Sequence, residues 1–294
     1  MRDKFFYGSL IFLCLAIGQL PILLHVLLTP KGYYYPYLDK ISFSDYYYLG
    51  LIRYGMGPDW LLRIPYVATA HAASFIQIFF VWLGKLSLVT GIGPAEVFSL
   101  FRILGGLVLL LSSVFFFKLI LPASKVRLAF LFFLFAQPIF LREYPDFLRE
   151  FGVWVWHFGE AARRVSVMPP HYTLGKGLAI LSVCFLILYL QRKKNIFFLL
   201  SSLLILLTGI IYPPPVFILL VAFCLLLFFL CLQKGFSRKT FQSREVMTIV
   251  FFILLGILPL LLLKGELGKG YPWNRWNQVE LGWNTPQMHF EWNY

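Results

Sequence analysis

Long apolar runs separated by short polar loops dominate the chain. A helix that crosses a membrane needs about 17–25 predominantly apolar residues. We predict spans at 5–28, 103–121, 126–141, 174–190, 196–211, 216–232 and 246–263. The span 126–141 is short and contains Gln137 and Pro138, and the run 196–232 is broken by YPPP at 212–215. One helix over 196–232 would be about 55 Å long, well beyond a hydrocarbon core of about 30 Å, so we predict a hairpin turn at the prolines.

A further apolar segment, 71–90, has two placements. If it lies in the interface, or dips in and returns, an inside N-terminus puts QRKKN (191–195) and QKGFSRKTFQSRE (233–245) inside. These loops hold the densest Lys/Arg clusters, so the positive-inside rule is met. If 71–90 spans, both clusters face outward. We therefore predict an all-α polytopic transmembrane helical bundle of about seven spans, with an in-plane helix in the first outer loop, an inside N-terminus and an outside C-terminus.

This topology divides the chain into a transmembrane module, 1–263, and a polar, Trp-rich outer tail, 264–294. The outer loops of the module are 29–95 and 142–173. The first apolar run is longer than the core of a signal peptide, and no A-x-A-like site follows it, so we predict a retained anchor. The tail ends abruptly, and we expect the chain to be an N-terminal fragment of a longer protein.

Composition supports a membrane protein rather than a large soluble core. The chain is 60% hydrophobic and 13% charged, with a mean hydropathy of +0.77, whereas soluble domains have about 45–50% apolar and about 25% charged residues. The net charge of +13 is divided among short loops between apolar runs, which favours topology and contact with membrane lipids over nucleic-acid binding.

Known soluble-enzyme motifs and metal-binding spacings are missing from the sequence. The four cysteines lie in apolar runs without a CxxC pair, so neither a disulfide framework nor a zinc site is indicated. His157 and His171 do not have metal-ligand spacing. No GxGxxG, P-loop, GxSxG, HExxH or DxD motif occurs, so soluble nucleotide-binding chemistry has no support.

The first outer loop carries three carboxylates, Asp39, Asp45 and Asp59. Carboxylates at a membrane edge are costly, which marks them as candidates for function. Asp45 suits a general base that removes a hydroxyl proton, although Ser44 or Asp45 would equally suit the cap of a helix that begins at Tyr46. Asp39 has a similar claim, weakened by a pairing with the neighbouring Lys40, and Asp59 reads as a turn residue.

Basic residues near the outer face are candidates for binding phosphate. The second outer loop offers Arg163 and Arg164, with Lys176 following, and the guanidinium fork suits phosphate. An amphipathic surface helix with snorkelling arginines is the alternative. Arg102 enters the outer end of the second span, where it needs a partner or an anionic ligand unless it snorkels to the surface.

The order of these features resembles the GT-C superfamily of integral-membrane glycosyltransferases, in particular protein O-mannosyltransferase-like members. An N-terminal span is followed by a large acid-bearing outer loop and an in-plane helix with the pattern LGKLS (83–87) through Gly91. An arginine then opens the second span in VFSLFRILGG (97–106), and the prolines of MPPHYTLGKG (168–177) open the fourth. The likeness covers most of 1–263 and lies in the arrangement, because the motifs are degenerate.

The resemblance implies transfer of a sugar from a polyprenyl-phosphate-linked donor to an acceptor on the extracytoplasmic face of a prokaryotic plasma membrane. It implies that the catalytic base is Asp45, with Asp39 as second choice, and that an acid of the second loop, Glu160 or Glu143, assists. The basic residues implied to hold the donor are Arg102, Arg163, Arg164 and Lys176. No cofactor is implied, and a divalent cation is compatible with this chemistry. The chain departs from the mannosyltransferase pattern by lacking an Asp-Glu pair in the first loop, which leaves the choice of catalytic acid open.

Two alternatives belong to other classes. A transporter or flippase would need charged or broken helices near the bilayer midplane and an internal repeat, for which Lys118 and the YPPP break are the only hints. A non-catalytic membrane subunit is the other alternative, since fold resemblance by itself does not establish activity.

Overall fold

The described part of the chain is helical. The computed structural model describes residues 2–35, 43–135, 165, 168–235 and 237–275. Its α-helices are α1 (Arg2–Leu28), α2 (Phe43–Gly55), α3 (Ile78–Thr90), α4 (Pro94–Ile120), α5 (Ala123–Phe135), α6 (Pro170–Arg192), α7 (Asn195–Ile211), α8 (Pro214–Lys234), α9 (Arg238–Phe241) and α10 (Arg244–Leu267). A 3₁₀ turn, Trp273–Arg275, follows α10. Within the described residues, β pairing is limited to one antiparallel bridge between Leu62 and Ser74.

Five of these helices are long and apolar enough to cross a membrane: α1, α4, α6, α8 and α10. The prediction of a helical membrane protein is therefore confirmed in this coarse form. Among the remaining predicted spans, α7 has 17 residues and α5 has 13. The predicted span 126–141 continues past Phe135 and out of the described residues, so the count of seven stays a prediction.

The helices begin earlier than the apolar runs suggest. The second span was predicted from residue 103, but α4 begins at Pro94, and α6 begins at Pro170 rather than at 174. Both helices have proline at their first position, where the missing N–H costs nothing and the fixed φ suits a helix. The extra turns contain Glu96, Arg102 and His171. These polar residues lower the local hydropathy, so the predicted span stops short of them, although the helix continues through them.

The first loop contains two packed helices rather than one. The loop helix α3 has 13 residues, about 20 Å, which is too short to cross a core of about 30 Å. Its Gly84 lies directly against α2, because a Cβ added there would come within 2.6 Å of Gly55 Cα. The paired helices bury Leu51, Ile52 and Phe80 completely. The segment 71–77, predicted as part of the apolar in-plane stretch, is a non-helical connection that ends in a turn before α3.

Small residues also let the long helices approach one another. A Cβ on Gly105 of α4 would lie 2.6 Å from Thr173 Oγ1 of α6, and one on Gly177 of α6 would lie 2.8 Å from Leu109 N of α4. Ser182 of α6 and Ser201 of α7 donate hydroxyl hydrogen bonds to each other's carbonyl oxygens, at 2.9 Å and 2.8 Å. Close glycine contacts and serine hydrogen bonds are typical means of holding membrane helices together.

Large apolar side chains also remain exposed on the outer sides of the long helices. They include Phe12 and Leu27 of α1, Phe217 and Phe229 of α8, and Leu254 and Leu261 of α10. A soluble monomer rarely exposes so continuous an apolar surface, whereas hydrocarbon chains cover it at no cost.

Candidate functional site

The ends of the helices form two opposite faces. We call the face that carries α2 and α3 the loop face. The end of α1 reaches it together with the start of α4, because Tyr34 Oη donates a 3.0 Å hydrogen bond to Glu96 Oε1. The end of α10 reaches it too, since Trp273 Nε1 donates to Ala72 O at 2.8 Å. The segment after α1 therefore leaves and returns on one face.

The opposite face, which we call the basic face, gathers most of the short basic loops. There Arg127 Nε of α5 donates to Asp3 Oδ1 of α1 at 3.0 Å, and Lys234 of α8 pairs with Glu245 of α10 at 3.3 Å. The QRKKN segment joins α6 to α7 on this side. Acidic side chains are sparse among the described residues at these helix ends, where Asp3 and Glu245 are each paired with a cation.

A histidine-centred aromatic cluster occupies the loop face. The ring centroid of His171 lies 5.1 Å from that of Tyr48 in α2 and 5.1 Å from that of Phe80 in α3. Tyr172 and Tyr212 complete the cluster, with Tyr212 5.7 Å from His171 and 4.7 Å from Tyr172. The cluster joins the two loop helices to the start of α6 and to the α7–α8 connection.

His171 is buried at the start of α6 and has one ring nitrogen without a partner among the described residues. It is the second residue of α6, at the end of the helix where backbone N–H groups and the helix dipole favour negative charge. Only 5% of its surface is exposed, and Nδ1 has no hydrogen-bond partner among the described residues. Buried polar nitrogens are normally paired, so this atom marks a place where a polar ligand group would be stabilised.

Arg102 lies in α4 beside the first turn of α6. Gly105, one turn further along α4, is against Thr173 and Leu174 of α6. Arg102 itself is 1% exposed, and its guanidinium carbon lies 5.0 Å from the ring centroid of Phe98. The snorkelling alternative is therefore not adopted. A guanidinium held out of water interacts strongly with an anion, because the low local dielectric weakens screening.

Lys176, the remaining predicted phosphate ligand within the described residues, is half-buried in α6. Five residues of helix turn it about 140° around the axis from His171, so the two do not share one side of α6. The structure thus brings Arg102 to the first turn of α6 and sets Lys176 on another side of the same helix.

The predicted acids are largely beyond the described residues. Asp39, Glu143 and Glu160 lie outside them, as do Arg163 and Arg164. Asp45 belongs to the first turn of α2, three residues before Tyr48, and its side chain is not among those described. Because α2 begins at Phe43, Asp45 is inside the helix rather than the cap of a helix that begins at Tyr46.

A cleft of about 450 Å³ with polar and apolar lining residues lies in the first loop, next to the Leu62–Ser74 bridge. Tyr54 Oη donates to Asp59 Oδ2 at 3.0 Å, and Asp59 pairs with Arg63 at 3.7 Å. Burial raises the pKa of the Tyr54 phenol, and the Asp59 carboxylate raises it further. Asp59 lies in a loop after α2, as its assignment to a turn implies.

The histidine of this cleft is held in one tautomer. His71 Nε2 accepts the Ile64 N–H at 2.9 Å, so the proton lies on Nδ1, which donates to Thr69 O at 2.9 Å. Both nitrogens are thereby used for shaping the loop. Over the described residues, no group of three or more His, Cys, Asp or Glu side chains is arranged to hold a metal ion.

Sequence reasoning missed the cluster of Tyr48, His171 and Tyr212. A usable signal exists for two of its members, since His171 follows Pro169-Pro170 and Tyr212 precedes Pro213-Pro214-Pro215. Prolines fix where a helix starts, so the neighbouring polar aromatic residues are held at helix ends, at the level of the membrane surface.

Comparisons of the chain with protein-family models, with curated proteins and with solved structures found no match. The residues of the chain and their arrangement therefore carry the functional proposal.

Proposed function

We propose that this chain is a membrane glycosyltransferase of the GT-C type. It moves a sugar from a polyprenyl-phosphate-linked donor to a hydroxyl acceptor at the extracytoplasmic face. The observation that carries the proposal is the burial of Arg102 beside the first turn of α6. The Phe98 ring under its guanidinium lies 6.4 Å from the rings of Tyr48 in α2 and Phe80 in α3. A buried cation and a helix N-terminus on the face of a carboxylate-bearing loop would stabilise the phosphate of a lipid-linked donor.

The donor phosphate binds between Arg102 and the start of α6. The guanidinium neutralises the leaving phosphate, and the helix N-terminus adds backbone donors and a partial positive charge. His171, whose buried Nδ1 has no partner among the described residues, offers a further polar contact. Arg163 and Arg164 are assigned to the same ligand as outer contacts, whereas Lys176 points to another side of α6, and a divalent cation is compatible with a phosphate in this place.

The base is assigned to Asp45, with Asp39 as second choice and Glu160 as an assisting acid. The carboxylate removes the proton of the acceptor hydroxyl, the hydroxyl oxygen attacks the anomeric carbon, and the bond from that carbon to the phosphate oxygen breaks. The polyprenyl phosphate leaves with the bonding electron pair, and its added negative charge is stabilised by Arg102. Tyr48, one turn after Asp45, connects this part of α2 to His171 through their ring contact.

The proposed topology has seven spans and a cytoplasmic N-terminus in a prokaryotic plasma membrane. It takes the basic face as cytoplasmic, because short cytoplasmic loops carry an excess of Lys and Arg. Basic residues at the helix ends and connections of this face support the assignment: Lys4, Lys118, Lys125, Arg127, Arg192, Lys193, Lys194, Lys234, Lys239 and Arg244. The loop face, with Arg102 and the loop helices α2 and α3, is then extracytoplasmic.

The features that hinted at transport have simpler roles. Lys118 is two residues from the end of α4 at Ile120, and its ammonium lies 4.7 Å from the ring centroid of Tyr7. It therefore sits near the basic face rather than at the midplane. The YPPP break joins α7 to α8 on the loop face, where a connection between two helices is needed in any case.

The proposal is tested with Asp45→Asn and Asp39→Asn in the full-length protein, assayed with polyprenyl-phosphate sugars with and without a chelator. Removal of a general base lowers turnover by about 100-fold or more. The matched control is Asp59→Asn, which removes a first-loop carboxylate that is paired with Arg63 and has no catalytic assignment. Full transfer activity in both the Asp45 and Asp39 variants would exclude the assigned bases.

A further inference from the structure

We propose that the basic face carries a binding site for an anionic glycerophospholipid, in the groove between α1 and α5. The groove has a volume of about 490 Å³ and is lined by Phe5, Phe6, Ser9, Leu10, Leu13 and Arg127. It is apolar along α1 and ends at a cation. This site is separate from the proposed glycosyl-transfer site, which lies at the other ends of the helices.

The apolar part of the groove suits one acyl chain. Residues 5–13 extend about 12 Å along α1, less than half of a hydrocarbon core of about 30 Å. Only the part of an acyl chain next to its headgroup fits this length. The groove is open on the outer side of the helices, where lipid would lie, since Phe5 is 79% exposed and Leu13 is 52% exposed.

Two cations flank adjacent rings at the end of the groove. The guanidinium carbon of Arg127 lies 5.2 Å from the ring centroid of Phe6, and Lys118 Nζ lies 4.7 Å from that of Tyr7. The two ring centroids are 5.3 Å apart. The aromatic pair therefore holds a guanidinium and an ammonium at the same end of α1, where the headgroup phosphate of a lipid would lie.

The remaining charges near this end are mostly positive. Lys4 of α1 and Lys125 of α5 are exposed beside Arg127, and Asp3 is the acidic residue of α1. Asp3 is paired with Arg127 through the 3.0 Å hydrogen bond from Nε, but 49% of the Arg127 side chain stays exposed. Both α1 and α5 begin at this face, so their N-terminal dipole ends add to the attraction for a phosphate. Basic pockets between membrane helices are suited to anionic headgroups.

The test measures lipid binding to the full chain by native mass spectrometry, with phosphatidylglycerol and phosphatidylcholine of identical acyl chains. We expect phosphatidylglycerol to bind at least about 10-fold more tightly, because its headgroup is anionic. Arg127→Gln should weaken its binding by about 10-fold or more, which corresponds to the loss of a charged hydrogen bond. Ser9→Trp should reduce it without any change of charge, by filling the groove.

Asp3→Asn separates a lipid contact from a structural one. If Arg127 binds the headgroup, removing its carboxylate competitor should tighten phosphatidylglycerol binding, whereas loss of a structural ion pair would weaken it. Lys194→Gln is the control, because it removes one exposed cation of the same face outside the groove, and should change binding by less than about 2-fold.

Equal affinity for the two lipids would overturn the proposal, as would equal effects of Arg127→Gln and Lys194→Gln. Displacement of phosphatidylglycerol by a polyprenyl phosphate that binds more tightly would assign the groove to a lipid-linked substrate instead. Gel filtration checks that each variant folds. If Ser9→Trp fails that check, the opposite signs expected for the Asp3 and Arg127 variants still decide the outcome.

Discussion

Tyr34 and Glu96 lie on opposite sides of the first loop in sequence and are joined by a 3.0 Å hydrogen bond. The bond closes a segment of some sixty residues into a unit that starts and ends on the loop face. The proposed active site depends on this closure, since Asp45 in the loop and Arg102 in α4 must share one aqueous compartment.

The topology predicts which cysteines a membrane-impermeant maleimide will label. In a background without the four native cysteines, Tyr33→Cys should be labelled in intact cells, because Tyr33 is 78% exposed next to the end of α1. Lys194→Cys, between α6 and α7, should be labelled only after lysis. The reverse pattern would place the loop face in the cytoplasm and remove the extracytoplasmic assignment.

Packing of α2 against α3 predicts that Gly84→Ala destabilises the protein. In most helices this change stabilises by about 1 kcal/mol. Here the new methyl group would come within 2.6 Å of Gly55 Cα, and overpacking of this kind costs about 1–3 kcal/mol. We expect a lower midpoint of thermal unfolding in detergent.

Gly8→Ala is the matched control for Gly84→Ala. It also lies inside a helix, but nothing approaches its added Cβ within 4 Å, so the midpoint should stay the same or rise. A midpoint for Gly84→Ala that equals that of Gly8→Ala would contradict the close approach of the two loop helices.

Trp273 is predicted to fasten the segment after α10 to the first loop. Its side chain is fully buried, and Nε1 donates to Ala72 O at 2.8 Å. Trp273→Ala should destabilise this contact by about 3–5 kcal/mol, visible as faster hydrogen exchange at residues 62–76. Trp273→Phe keeps an aromatic ring and loses the hydrogen bond, so its effect should be nearer 1 kcal/mol. Unchanged exchange in the alanine variant would show that the loop is held without this residue.

The apolar runs predicted the long helices well because burial in lipid depends on composition over a whole segment. They failed where one polar residue sits inside a helix: the window for the second span stopped at Arg102, although α4 continues outward to Pro94. Arg102 was singled out from the sequence because an arginine at that depth is costly, but the sequence left snorkelling open, and its burial is seen only in the structure. The central position of His171 in the aromatic cluster was not predicted from the sequence, because it depends on contacts with the rings of Tyr48, Phe80 and Tyr212. Those contacts join distant parts of the chain and leave no local pattern.

The environment of Tyr54 predicts a phenol that titrates above its ordinary pKa. Burial, together with the hydrogen bond to Asp59, raises the pKa of Tyr54. A raised pKa in the folded state means that the phenol's contribution to stability is present below about pH 10 and is lost as pH rises through the folded-state pKa. The ultraviolet difference titration of wild type against Tyr54→Phe should isolate this late transition. Asp59→Asn should move it to lower pH, and a transition that did not move would exclude Asp59 as a cause.

Arg102 is predicted to act on the donor phosphate rather than on folding alone. Arg102→Gln should lower transfer from polyprenyl-phosphate sugars by about 10–100-fold, the value of a lost charged hydrogen bond in a buried site. Arg102→Lys keeps the charge but not the planar fork and should retain an intermediate rate. Both variants should raise the KM for the donor while leaving the KM for the acceptor nearly unchanged.

Arg192→Gln is the control for the Arg102 variants, because it removes an exposed arginine at the end of α6 on the basic face. It should transfer sugar at the wild-type rate. If Arg102→Gln lowers the unfolding midpoint while the protein that remains folded keeps its donor KM, Arg102 supports the helix pair α4 and α6 and does not bind phosphate. A raised donor KM in Arg102→Gln, with partial recovery in Arg102→Lys and none of the effect in Arg192→Gln, is the pattern expected of a phosphate contact.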